Sequence, residues 1–198
     1  MSETTPAPSG DAEGRLVAGL WRVVARHGWD GLTMRRAAAA AGVPMHELRR
    51  RCPDRLGLLR LHGRAVDAAV LEGTVPGQGG TARDRVFDVL MRRIDALQPH
   101  RAGVLRLVDD LGRDPLLAVL LLAELPRSMA WMLEAAELDG SGLAGLARRK
   151  GLTAVWLATL RAWARDGSRD LGPTMAALDR ALDRAEQVAR SLRLDPGG

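Results

Sequence analysis

A glycine and two prolines spaced through GLTMRRAAAAAGVPMHELRRRCPDRLGLL, residues 31–59, divide this stretch into short helical pieces. Thr33 can accept from orphan amides, so it N-caps a first helix over Thr33–Ala41. Gly42 supplies the left-handed backbone at which a helix ends and the chain turns. Pro44 fits the first turn of the next helix, where its missing N–H costs nothing. That helix carries Met45–Arg51 and stops at Pro53. Asp54 then caps a third helix running to about Glu72. Helix, glycine turn and helix make a helix-turn-helix, the unit whose second helix enters the major groove of DNA.

Charge supports that reading. Residues 15–64 hold eleven Arg and three acids, whereas residues 65–198 hold eighteen of each sign. A basic segment beside a neutral one points to a polyanionic partner for the first. A solvated arginine-rich surface is the plainer account, since Lys150 is the only Lys of the chain. At 198 residues the chain can form one domain, or a small domain docked on a larger one. Hydrophobic residues make up 46%, which rejects disorder, and Ala, Leu and Arg outweigh β-branched and aromatic residues. That balance predicts an all-α protein. Cys52 is alone, so no disulfide framework exists within the chain and a reducing cytoplasm is expected. The opening MSETTPAPSGDAEG holds no apolar core, so no secretion signal is expected, and residues 1–10 read as a disordered arm.

The first helix spans about Asp11–His27 with Leu16, Leu20, Val23 and Val24 on one face, and Trp29 follows as a core wedge. Residues 11–72 would form the basic domain. Residues 73–80, GTVPGQGG, read as the linker to a helical domain over 81–198. Thr81 and Asp84 resemble a capping box for a helix that buries Val86, Phe87, Leu90, Ile94 and Leu97. A short helix near His100–Leu111 turns Val104, Leu105 and Val108 inward. Asp114-Pro115 opens a helix, about 115–138, apolar nearly all round until Glu124, which predicts burial at the centre of a bundle. Its run Leu116–Ala123 ends well short of a membrane span, so no stable membrane insertion is expected. Pro126 is expected to kink or break it. A kink there favours a cavity that Met91, Met129, Trp131 and Met132, with Phe87 and Val108, would line for a small apolar ligand, although Met here also suits plain core. The last two helices, about Leu143–Arg165 and Pro173–Leu192, carry apolar stripes: Leu152, Trp156, Thr159 and Trp163 on one, Met175, Leu178 and Leu182 on the other. Such stripes can pack on each other or form a four-helix bundle with a second copy.

The pattern GLT-x-R at Gly31–Arg35, A-x-x-A-G-V at Ala38–Val43, Leu48, and P-D-R-x-x-LL at Pro53–Leu59 resembles the N-terminal domain of the TetR family of transcriptional regulators, over roughly residues 12–62. The helix count downstream, about nine in all, extends the resemblance. Arg49 replaces the aromatic usually found after Leu48, Cys52 the one before the proline, and Arg55 a lysine. Pro44, Met45 and His46 stand where the turn's exit usually has small residues. The resemblance implies a homodimer formed by the last two helices, hence through Leu152, Trp156, Thr159, Trp163, Met175, Leu178 and Leu182. It also implies a palindromic double-stranded DNA operator and a ligand-responsive repressor. The C-terminal run RRKGLTAVWLATLRAWARDGSRDLGPTMAALDRAL is similar, besides, to the lipid-binding proteins of ubiquinone biosynthesis, which share this fold without acting as repressors. A soluble lipid- or isoprenoid-binding protein with a vestigial helix-turn-helix is therefore the alternative.

The residues themselves propose roles. Arg49 and Arg50 lie in the second helix near Met45 and His46, and an Arg there can be bidentate to guanine O6 and N7. Thr33, Arg35, Arg36 and Arg55 are placed for phosphates. Glu47 either accepts from a cytosine amine or repels the backbone. Catalysis finds no support: His27, His46, His62 and His100 are scattered without metal-ligand spacing, and Cys52 has no triad. Neither a metal nor a cofactor is expected.

Overall fold

Among its described residues, 9–77 and 79–191, the computed structural model runs through nine α-helices and one 3-10 turn, with no strand. They are α1 (Ser9–His27), α2 (Met34–Ala41), α3 (Met45–Arg51), α4 (Arg55–Glu72), α5 (Ala82–Leu97), α6 (Arg101–Leu111), α7 (Pro115–Ala135), α8 (Gly142–Arg165) and α9 (Gly172–Ser191). The 3-10 turn, Gln98–His100, joins α5 to α6. Helix starts follow their caps. Gly57 N–H donates to Asp54 Oδ1 at 2.7 Å ahead of α4, and Leu117 N–H to Asp114 Oδ1 at 2.9 Å ahead of α7. At α5, Thr81 N–H donates to Asp84 Oδ2 at 2.9 Å and Asp84 N–H to Thr81 Oγ1 at 3.2 Å, a reciprocal box closed by the shorter acid. The expected arm lies mostly outside the described residues, and Ser9 and Gly10 belong to α1. Leu192, expected in the last helix, also lies outside them.

Residues 73–80 do form the connection between α4 and α5, yet they are not where contacts divide the chain. One compact unit contains the chain up to Ala65 together with Leu97–Ala118. The other contains Val66–Ala96 together with the chain from Val119 on. Loop composition marks where a chain bends, whereas α4, α5 and α7 are continuous helices that pass from one unit to the other.

In the first unit α1 packs on α2 and on α6. Both contacts need close backbone approach, which sequence reading did not anticipate. A Cβ on Gly19 would lie 2.9 Å from Ala41 Cβ, and one on Gly103 would lie 2.8 Å from the Trp21 ring. Leu16, Leu20, Val24, Trp29, Leu32, Val43, Leu48, Leu58 and Leu61 fill the core. On α6 the inward residues are Gly103, Val104 and Leu107, while Leu105 and Val108 are only half-buried. Trp21 meets His62 edge-on at 4.8 Å and stacks on His100 at 6.4 Å between centroids. Burial pushes the His100 imidazole below its ordinary pKa.

The second unit is built on the α8–α9 hairpin. Its centre holds a charge that periodicity did not reveal: Arg93, 6% exposed among Val89, Leu90 and Ile94. The guanidinium pairs with Asp67 of α4, and its Cζ sits 4.9 Å from the Trp156 ring centroid on α8. Ser128 of α7 donates to the same Asp67 carboxylate at 2.6 Å. Four helices thus meet at one ion pair, where removing either partner would strand a charge.

Helix α7 departs from expectation. It runs through Pro126 unbroken for 21 residues, and its first half is not central: Leu116 is 70% and Val119 62% exposed. Its first half buries only Leu117, whereas its second half buries Met129, Met132, Leu133 and Ala135. An apolar pattern all round shows that a helix tolerates burial on any side, not which neighbours reach it. Pro126 lies exposed, as does Leu122, whose carbonyl loses its helical donor, so water can take that acceptor. By length and composition alone, α7 is the one helix among the described residues that could cross a membrane.

Candidate nucleic-acid interface

The helix-turn-helix is assembled as its local chemistry dictates. Thr33, in extended conformation, accepts from Arg36 N–H at 3.1 Å and so caps α2. Gly42 takes φ 63°, its N–H meets Ala39 O at 3.2 Å, and Val43 N–H reaches Ala38 O at 3.1 Å. That pair of bonds is a Schellman ending, which needs a left-handed residue at its centre. Pro44 precedes α3 rather than opening it, and its carbonyl accepts from Leu48 N–H at 3.0 Å. Ala38, Val43 and Leu48 are buried and lock α3 onto α2.

With Leu48 turned inward, Met45, His46, Arg49 and Arg50 all lie exposed on α3. Glu47 is occupied: its carboxylate pairs with Arg51 at 3.0 Å, one helical turn on. Its charge is therefore offset within α3, and the outward row remains cationic. Cys52 is fully buried beneath the end of α3, and burial raises its thiol pKa, which makes it an inert core group.

The residues assigned to phosphates are placed less simply. Arg35 is exposed. Arg36 donates through Nη1 to Gly31 O at 2.7 Å and so braces the turn before α2. Arg55 lies over Trp29, its Cζ 4.9 Å from the ring centroid, and donates to Trp29 O at 3.2 Å. Each guanidinium has further N–H groups beyond the one committed to the fold. Trp29 is buried, as expected of a core residue, and its backbone N–H donates to Asp110 Oδ2 of α6 at 2.7 Å. That bond, with Arg106 at 3.2 Å, holds the Asp110 carboxyl below its ordinary pKa.

Two solved structures share this architecture. The TetR transcriptional regulator from Nitrosomonas europaea ATCC 19718 matches with a TM-score of 0.68 at 21% identity, over 88% of this chain and 98% of that one. A TetR transcriptional regulator from Rhodococcus sp. RHA1 matches with a TM-score of 0.62 at 17% identity, over 90% of this chain and 97% of that one. This chain has the TetR fold. No family model and no curated protein matches it by sequence.

The residues expected to line a ligand cavity are distributed over both units. Met129 and Met132 are fully buried in the second unit, Phe87 and Met91 are half-buried there, and Val108 belongs to the first unit. A hollow of about 340 Å³ in the second unit is lined by other residues, mixing the charged Asp84, Arg85, Asp88, Arg92 and Glu137 with the apolar Val75, Val89 and Ala135. Among the residues expected to meet a second copy, Leu152, Trp156, Thr159, Trp163, Leu178 and Leu182 are buried against their own chain. Only Met175 is exposed. The apolar stripes of α8 and α9 are largely consumed in packing on each other, and Leu146 and Leu157 of α8 and Val188 of α9 are exposed instead. Among the described residues no group of three or more His, Cys, Asp or Glu is placed to hold a metal.

Proposed function

We propose that this protein is a DNA-binding transcriptional regulator that docks α3 in the major groove. The observation that carries this reading is the exposed row Met45, His46, Arg49 and Arg50 on a helix fixed from behind by Leu48, with Glu47 paired off by Arg51. Arg49 and Arg50 are the base-reading candidates, and Arg35, Arg36 and Arg55 supply backbone contacts from the ends of their helices. The TetR fold of the two regulators supports the same assignment.

The working form is a homodimer on a palindromic operator, its two α3 helices about one helical turn or a multiple apart. The dimer forms through the outer faces of α8 and α9, where Leu146, Leu157, Met175 and Val188 are exposed, rather than through the buried stripes. A small ligand held by the second unit would change DNA affinity by as much as its own affinity differs between the two conformations.

Selection of genomic fragments by the purified full-length protein, followed by salt titration, tests this. Enrichment of an inverted repeat bound far more tightly than bulk DNA is expected. Weak binding indifferent to sequence would leave the helix-turn-helix as a scaffold and would favour the lipid-binding alternative.

A further inference from the structure

On the flank of the first unit, α1 and α2 border an open hollow of about 380 Å³ lined by Arg22, Val23, Arg26, His27, Arg36, Ala39 and Ala40. Three guanidiniums and an imidazole share it, and none of these lining residues is acidic. Arg22 donates to Ala40 O and Arg36 to Gly31 O, so both are fixed in place by backbone carbonyls rather than by carboxylates.

Helix electrostatics accounts for only one wall. Arg26 and His27 close the last turn of α1, where the negative end of a helix welcomes cations. Arg36 stands in the first turn of α2, at a positive end, beside Arg35 and with no acid in that turn. Cations there oppose the helix dipole, and converging like charges in a concave site raise the local potential further. An anion seated in the hollow would relieve both terms.

We propose that this α1–α2 cleft seats DNA backbone phosphates beside the groove entered by α3, so that the footprint extends past the reach of the recognition helix. The first helix of a helix-turn-helix crosses the backbone, which brings the open side of α2 to the phosphates. The proposal rests on the DNA-binding reading above and adds Arg22, Arg26 and His27 of α1 to its contacts. Arg22 and Arg36 would be held ready by their carbonyl partners, and Arg26 would close on the phosphate.

The test compares the full-length protein with Arg26→Gln and with Arg169→Gln, an exposed arginine in the second unit that matches the loss of charge. Each is titrated with salt on the duplex enriched by selection, after its helix content and melting are checked. Arg26→Gln should weaken binding on every sequence alike and make the salt slope shallower by about 0.9 per chain. Arg169→Gln should leave the slope unchanged. A duplex carrying one neutral methylphosphonate at a time outside the α3 groove should show a position whose neutralisation weakens the wild type severalfold but not Arg26→Gln. If Arg26→Gln behaves like Arg169→Gln, or stays as sensitive as the wild type to every neutralised phosphate, the cleft is no phosphate seat while the regulator reading stands. If the wild type prefers no duplex over bulk DNA, both fall together.

Discussion

Gly103 illustrates what one missing methyl group can decide. Inside α6 it reads as a weak helix residue, yet a Cβ there would lie 2.8 Å from both the ring and the carbonyl of Trp21. Neither can yield freely, so Gly103→Ala should destabilise the first unit by about 1–3 kcal/mol in urea unfolding. Asp110 offers a second test at the same scale. Its carboxyl is held below the ordinary range first by Trp29 N–H and then by Arg106. A depressed pKa means that its contribution to stability is present above the unfolded value and is lost as pH falls through the folded one. The urea midpoint of the wild type should therefore fall more steeply than that of Asp110→Asn as pH drops through and below the ordinary carboxylate range. Residue roles set by neighbours in sequence, such as the Thr33 cap and the Gly42 turn, were legible because their partners lie within five positions. Gly103, Asp110 and Arg93 were not, because what constrains them arrives from another helix.

Periodicity on α8 and α9 correctly identified apolar faces but could not name what covers them. The stripe of Leu152, Trp156, Thr159 and Trp163 is absorbed by its own chain, and so are Leu178 and Leu182. Two substitutions separate the resulting roles. Trp163→Ala removes a side chain with no exposure and should cost about 3–5 kcal/mol of stability. Leu157→Glu, at a residue 37% exposed on the outer face, should keep helix content and melting while light scattering reports a monomer. A stable dimer of Leu157→Glu would remove that face from the proposed interface. The α8–α9 connection has its own lock. Asp166 accepts from Ser168 N–H and Oγ–H and from Thr174 N–H and Oγ1–H, and these bonds hold its carboxyl far below the usual range. A sequence reader sees only an Asp after a helix there, since half of those donors come from the next one.

At the scale of the whole molecule, the sequence located the loop at 73–80 but not the division of contacts. Composition records where water meets the chain, whereas the first unit is completed by Leu97–Ala118, a segment with no special composition. The basic region therefore should not fold alone. A fragment ending at Glu72 lacks α6, leaves Trp21 without Gly103 and Trp29 without Asp110, and should show no cooperative melting by circular dichroism. A sharp transition in that fragment would mean that α1–α4 suffice. The same discontinuity orders events during synthesis. The helix-turn-helix leaves the ribosome early, but the segment that closes its unit follows only after Ala96, with part of the other unit made in between. At about 5–20 residues per second, the nascent helix-turn-helix waits roughly 3–10 s for the last helix of its unit, exposing apolar α1 and α2 surface to chaperones for that interval.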